Sequence, residues 1–175
     1  MPILTSQLFP IGDIKILQYI DSSIVTPSSA TAITLAATAD LTKTFIIMLG
    51  FQGNGSSLGE IAVRAELTDA NTATFTRQDN ASSSFFQALI VSSDRLVSLQ
   101  YRSIITSGVI SNTATISAVD ATAYNVFLIP SNSTGSSSPI ALAKAVLTNS
   151  TTVTALRNSA TGASTTGVFI LELRK

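Results

Sequence analysis

Residues 40–77 of the chain have counterparts 80 positions downstream, and this repeat limits the fold more than any other feature of the sequence. Asp40 falls on Asp120, Arg64 on Lys144, Leu67-Thr68 on Leu147-Thr148, Thr72 on Thr152 and Arg77 on Arg157. Gly55-Ser56-Ser57 falls on Gly135-Ser136-Ser137. Upstream, Leu17-Gln18-Tyr19 returns as Leu99-Gln100-Tyr101, an offset of 82. Beyond Arg77 the reading takes 82 again, which sets 86–91 against 168–173 and Ile90 where Glu172 stands. Offset changes of this size belong in loops, where an inserted residue costs least. The chain therefore reads as a tandem duplication with almost no linker: an extended arm over 1–13, one module over 14–94 and a second over 95–175.

Within each module the pattern is that of strands. Short runs of β-branched and apolar residues are separated by Ser, Thr, Gly, Asn and Asp. In 60–67, Ile61, Val63, Ala65 and Leu67 alternate with Arg64 and Glu66, a period of two that places successive side chains on opposite faces of a sheet. Ala143, Ala145 and Leu147 repeat the inward set. A turn at 68–71 and an outgoing run with Ala73 and Phe75 inward, and the threonines and Arg77 outward, complete a hairpin. The expected strands lie at 14–20, 30–36, 44–50, 60–68, 72–77 and 84–91, then at 97–105, 112–118, 124–130, 140–148, 151–157 and 167–173. No long helix is expected. Six short antiparallel strands with one apolar face each cover that face as a small two-sheet sandwich. The expected fold class is thus all-β, two tandem duplicated antiparallel β-sandwich modules of about six strands each.

Composition narrows the function. The chain has no Cys and no His, which removes disulfides, thiolate or imidazole metal sites and the Ser-His-Asp and Cys-His constellations together. The lysines lie in no Ser-x-x-Lys spacing, and no paired acids recur in register. No enzyme and no cofactor are expected. Ten basic and ten acidic side chains cancel, so nothing favours nucleic acid or an anionic membrane. No apolar run approaches the roughly 18 residues of a membrane span. The opening segment lacks the cationic flank and apolar core of a secretory signal.

The residues also carry a family resemblance. "TATISAVDATAYNVFLIPSNST", "AKAVLTNSTTVTALRN" and "TTGVFILEL" resemble a repeat of tailed-bacteriophage virion structural proteins, in which a Thr/Ile strand, "VD", an apolar strand, "LTNSTTVT" and a closing strand follow one another. Copy one departs from it with Ala39-Asp40 in place of Val119-Asp120. The resemblance spans nearly all of the chain beyond residue 13. Some members are similar to the H-type lectin module, a six-stranded sandwich that assembles as trimers, and the strand count reached above agrees with that.

The recurring polar residues have a functional and a structural reading. Arg77 and Arg157 would suit a glycan or a partner carboxylate, but an outward strand arginine that keeps a hairpin soluble has the same pattern. Tyr19 and Tyr101 would suit stacking on a sugar, or a place at the core edge with the hydroxyl at the rim. Asn54 and Asn132 sit in Gly/Ser-rich segments that read as binding tips or as flexible loops. Asn-x-Ser/Thr matches such as those at Asn80, Asn132 and Asn149 carry no weight in so Ser/Thr-rich a chain. The favoured expectation is a non-enzymatic structural protein of a virion, a capsid decoration (cement) or tail accessory protein. It would associate with itself as a homotrimer and with major capsid or tail proteins. The alternative is a lectin-like module of a tail fibre that binds host glycan.

Overall fold

Twelve strands carry the described part of the computed structural model, which comprises residues 14–120, 125–135 and 142–174; the arm expected over 1–13 lies outside it. The first six are β1 (Ile14–Ile24), β2 (Ala30–Thr34), β3 (Thr44–Gly53), β4 (Arg64–Asp69), β5 (Thr72–Thr76) and β6 (Ser84–Ser93). The second six are β7 (Leu96–Ser107), β8 (Ser111–Thr115), β9 (Val126–Thr134), β10 (Lys144–Asn149), β11 (Thr152–Leu156) and β12 (Ala163–Leu173). They form four antiparallel three-stranded sheets, in the orders β1-β6-β3, β2-β5-β4, β7-β12-β9 and β8-β11-β10. Strand order and antiparallel pairing repeat, and so do details of the fourth-strand hairpin. The bulge between Leu67 and Asp69 recurs between Leu147 and Asn149, and a hydroxyl–hydroxyl bond joins Thr68 to Thr74 as another joins Thr148 to Thr154. The fold is all-β, two small sandwiches of the same design.

Each sandwich core is built from the inward members of the alternating strands. Ile20, Ile24, Ala65, Ala73, Phe75, Phe86 and Ile90 are buried in the first, with the Phe75 and Phe86 rings stacked at 4.2 Å. Ile104, Val153, Ala155, Val168 and Ile170 are buried in the second. The repeated Leu-Gln-Tyr triplet has a structural role here. Gln18 on β1 accepts from the Ala36 amide at 2.9 Å, and Gln100 on β7 accepts from the Ser117 amide at 2.7 Å. Each glutamine thus ties the first strand of its module to the segment after the second.

The strands outrun several sequence expectations. The strand expected over 14–20 runs on through Asp21-Ser22-Ser23, and Ile24, fully buried, pairs with Ser84. The strand expected over 60–68 begins instead as one helical turn, α1 (Leu58–Ile61), and becomes extended only at Arg64. Gly59 in this turn lies so close to the Thr134 carbonyl that a Cβ would approach it to 2.8 Å. In the second copy β10 starts at Lys144, residues 140–141 lying outside those described. The ladders also correct the closing alignment. Tyr19 pairs with Leu89 and Tyr101 with Phe169, so β6 and β12 correspond at an offset of 80 while β1 and β7 correspond at 82. Ile90 therefore matches Ile170, and Glu172 matches Ser92.

The largest correction concerns Arg77 and Arg157. Neither is an outward hairpin residue; they are 1% and 6% exposed. Arg77 donates Nε and Nη2 to the Ser28 carbonyl at 3.1 and 2.8 Å, and Nη1 to the carbonyls of Glu60, at 3.1 Å, and Ser82. Arg157 donates Nε to the Val109 carbonyl at 2.9 Å, Nη1 to Thr161 at 3.2 Å and Nη2 to Ala160 and Gly162, both at 2.9 Å. Alternation runs on past the strand end: Arg77 follows Ala73 and Phe75, and Arg157 follows Val153 and Ala155, on the inward side, and only their charge suggests the outward one. On the inward side the planar fork of five donors satisfies loop carbonyls that would otherwise be buried without partners. Desolvation lowers the Arg77 pKa, an effect that the nearby Asp79 and Glu60 carboxylates oppose.

Removing either guanidinium leaves several carbonyls unpaired at once. Arg77→Ala and Arg157→Ala should each cost on the order of 3 kcal/mol in urea unfolding. Arg77→Lys should recover less than half of that, because a point charge cannot replace the fork. Unchanged unfolding midpoints for both alanine variants would contradict the clamp.

Candidate functional site

The sheet of β7, β12 and β9 is covered on both faces, and the first module covers its outer one. Alternation places Ile104, Val168 and Ile170 toward β8-β11-β10, and Leu99, Tyr101, Phe169 and Leu171 on the other face. These outer residues join one apolar cluster with Phe45, Val91 and Leu67 of the first module. Tyr101 packs on Phe169 at 4.9 Å between ring centroids.

A polar seam closes this junction, and β4 supplies it. Arg64 Nη1 donates to Glu66 Oε2 at 2.8 Å, to the Tyr101 hydroxyl at 2.9 Å and to Ser103 Oγ at 3.4 Å. The amide of Ala65 donates to Ser131 Oγ at 3.1 Å, and Gln78 Nε2 donates to Thr165 Oγ1 at 3.0 Å. Gly167 is needed for the approach: a Cβ there would lie 2.5 Å from the Tyr101 hydroxyl and 3.0 Å from Arg64 Cγ. Burial pushes the Tyr101 phenol well above its ordinary 10.0, and the Arg64 charge opposes this only in part.

The matching face of the first module, on β1-β6-β3, is open over the same end. Tyr19, the counterpart of Tyr101, is 52% exposed and Phe85 is 43% exposed. Beside them a groove of ≈ 250 Å³ is lined by Asp21, Gly50, Phe51, Gln52, Phe85 and Gln87. The two tyrosines thus share a position on the ladder but not an environment.

The four contacts anticipated from sequence do not converge. Arg77 and Arg157 spend their donors on their own loops. Asn132 is half-buried on β9; its side chain donates to the Ala143 carbonyl at 2.9 Å and accepts from Thr166 Oγ1 at 2.8 Å. Asn54 is exposed beyond β3. The open end of the first sheet, with Tyr19, Asp21, Phe85 and Gln87, is a surface of which sequence reasoning had weighed only Tyr19. Its signal was present in Asp21 standing where the second copy has Ser103. Among the described residues no three acidic side chains gather where they could share a metal ion. Comparison with protein-family models, with curated proteins and with solved structures finds no match.

The phenol at the junction gives a pH signature. The fold favours the neutral form, so the unfolded chain loses its phenolic proton first and stability should fall as pH rises past 10.0. Tyr101→Phe should cost about 1 kcal/mol at neutral pH through the lost bond to Arg64, and should flatten the alkaline decline. Thermal unfolding of both proteins between pH 8 and pH 11 is the check. Parallel profiles would show that the phenol is not desolvated.

Proposed function

We propose that this chain is a non-enzymatic structural protein of a tailed-bacteriophage virion, a capsid decoration or tail accessory protein that works through self-association and docking on other virion proteins. One observation carries the reading: four of the polar side chains that recur between the copies are turned onto the protein's own backbone. Arg77, Arg157, Gln18 and Gln100 are the residues a binding or catalytic repeat would present to solvent, and here each holds a loop or joins two sheets. What recurs is architecture. The sequence resemblance to virion repeats supports the setting, and a charge content of only 11% supports contact with other proteins over solvation.

A second reading, glycan recognition, has one point in its favour. The groove on the first sheet sets Phe51 and Phe85 beside Asp21, Gln52 and Gln87, which is ring and polar chemistry together.

Antibody against the protein, or a tagged copy, should label purified phage particles in negative stain at fixed positions on the head or tail. Particles made without the protein should assemble and then fall apart sooner on heating. If the particles carry none of it, the virion assignment is wrong; a saturable shift on monosaccharide titration that Asp21→Ala and Phe85→Ala abolish would favour the second reading.

A further inference from the structure

The contact between the two modules within one chain is also a template for contact between chains. Each module has a receiving face, the outer side of its first-last-third strand sheet, and a docking edge at the start of its fourth strand. In the chain, the docking edge of module one (Arg64 and Ala65 on β4, with Gln78) sits on the receiving face of module two, at Tyr101, Ser103, Ser131 and Gly167. One face and one edge are left over. The unused face is the open end of β1-β6-β3, where ladder register puts Tyr19, Asp21, Gly50 and Gln87 in the four corresponding places. The unused edge is the start of β10, where Lys144 stands for Arg64 and exposed Asn158 for Gln78.

Charge placement supports joining the two. Arg64 is neutralised within its own strand by Glu66, and it meets a neutral serine, Ser103, on the face it covers. In β10 the place of Glu66 is taken by Val146, so Lys144 has no acid two residues on. The acid occurs instead on the receiving side, as Asp21 in the place of Ser103. Both Lys144 and Asp21 are exposed, and the groove beside Asp21 occupies the position through which the Arg64 stem passes in the second module. Gln87 stands there in place of Gly167; it is exposed, so its flexible side chain has to turn aside for the Lys144 stem, and the contact is a variant of the intramolecular one rather than a copy.

We propose that a second copy of this chain occupies the groove, with the β10 edge of one copy on the β1-β6-β3 face of the next and Lys144 paired with Asp21. The contact is head to tail, using different surfaces on the two partners, so it closes into a ring or continues as a filament. A ring of three chains places six sandwiches in similar contacts. The inference rests on the self-association part of the function proposed above, but it is tested in solution and does not depend on where the protein resides.

Sedimentation of the full chain from roughly 1 to 100 μM tests it, since specific interfaces of this kind hold in the micromolar range or below. The wild type should run as a multiple of the 18.2 kDa protomer. Asp21→Lys and Lys144→Asp should each weaken association at least tenfold, and the double variant D21K/K144D should restore it. Both positions are exposed, so circular dichroism and melting temperature should not change. A monomer throughout the range overturns the proposal. So does an effect of Asp21→Lys with Lys144→Asp silent, because the face would then meet itself, the segment 1–13 or a sugar. A monomer that still labels particles would sink the inference and leave the virion assignment standing.

Discussion

Each sandwich depends on a guanidinium that is held by main-chain carbonyls alone. Taking a cation from water costs several kcal/mol unless its donors are all engaged. Every guanidinium nitrogen of Arg77 and Arg157 donates to loop carbonyls on two sides of the module, four bonds in each case. The segment before the second strand supplies one acceptor, Ser28 or Val109, and the loop before the last strand supplies others. In the first copy α1 adds the Glu60 carbonyl, which gives the otherwise odd helical turn a purpose. With the loops fixed, β2 and β8 enter their sheets in register, and the long central strands β6 and β12 start from a defined point.

The duplication is close in backbone and unequal in environment. β12 is buried on both faces because the first module lies on its sheet, whereas β6 alternates between buried and exposed residues toward its Ser84 end. One position shows the difference in physical terms. Gly167 leaves space for Arg64 to reach Tyr101, while Gln87 fills the same place on an uncovered face. The copies have kept the residues that set the fold and diverged where one of them is covered.

Much of this was legible in the sequence. The period-two alternation of Val63, Ala65, Ala73 and Phe75 located a hairpin and its inward side, and the recurrence of Asp40, Thr72 and Arg77 located the repeat. The burial of Arg77 was written in the same pattern, since it follows Ala73 and Phe75 at a spacing of two, but its charge argued for the outward side. What alternation does not carry is the set of loop carbonyls that makes a buried guanidinium tolerable. The shift between offsets was hidden because Phe, Val, Ile and Leu near 86–91 and 168–173 match at either spacing; only ladder pairing separates 80 from 82. Of the candidate site only Tyr19 was weighed, because the strand expected over 14–20 ends just before Asp21 whereas β1 runs through it.

The two-residue connection of Asp94 and Arg95 between β6 and β7 has a consequence for when contacts form. A tether that short gives one module a local concentration near the other of order millimolar. The seam of Arg64, Tyr101 and Ser131 can therefore be individually weak and still be made at all times. Contacts of the same design between separate chains receive no such help. They follow mass action, sparse where the protein is dilute and populated where copies are crowded together on a surface that already holds one.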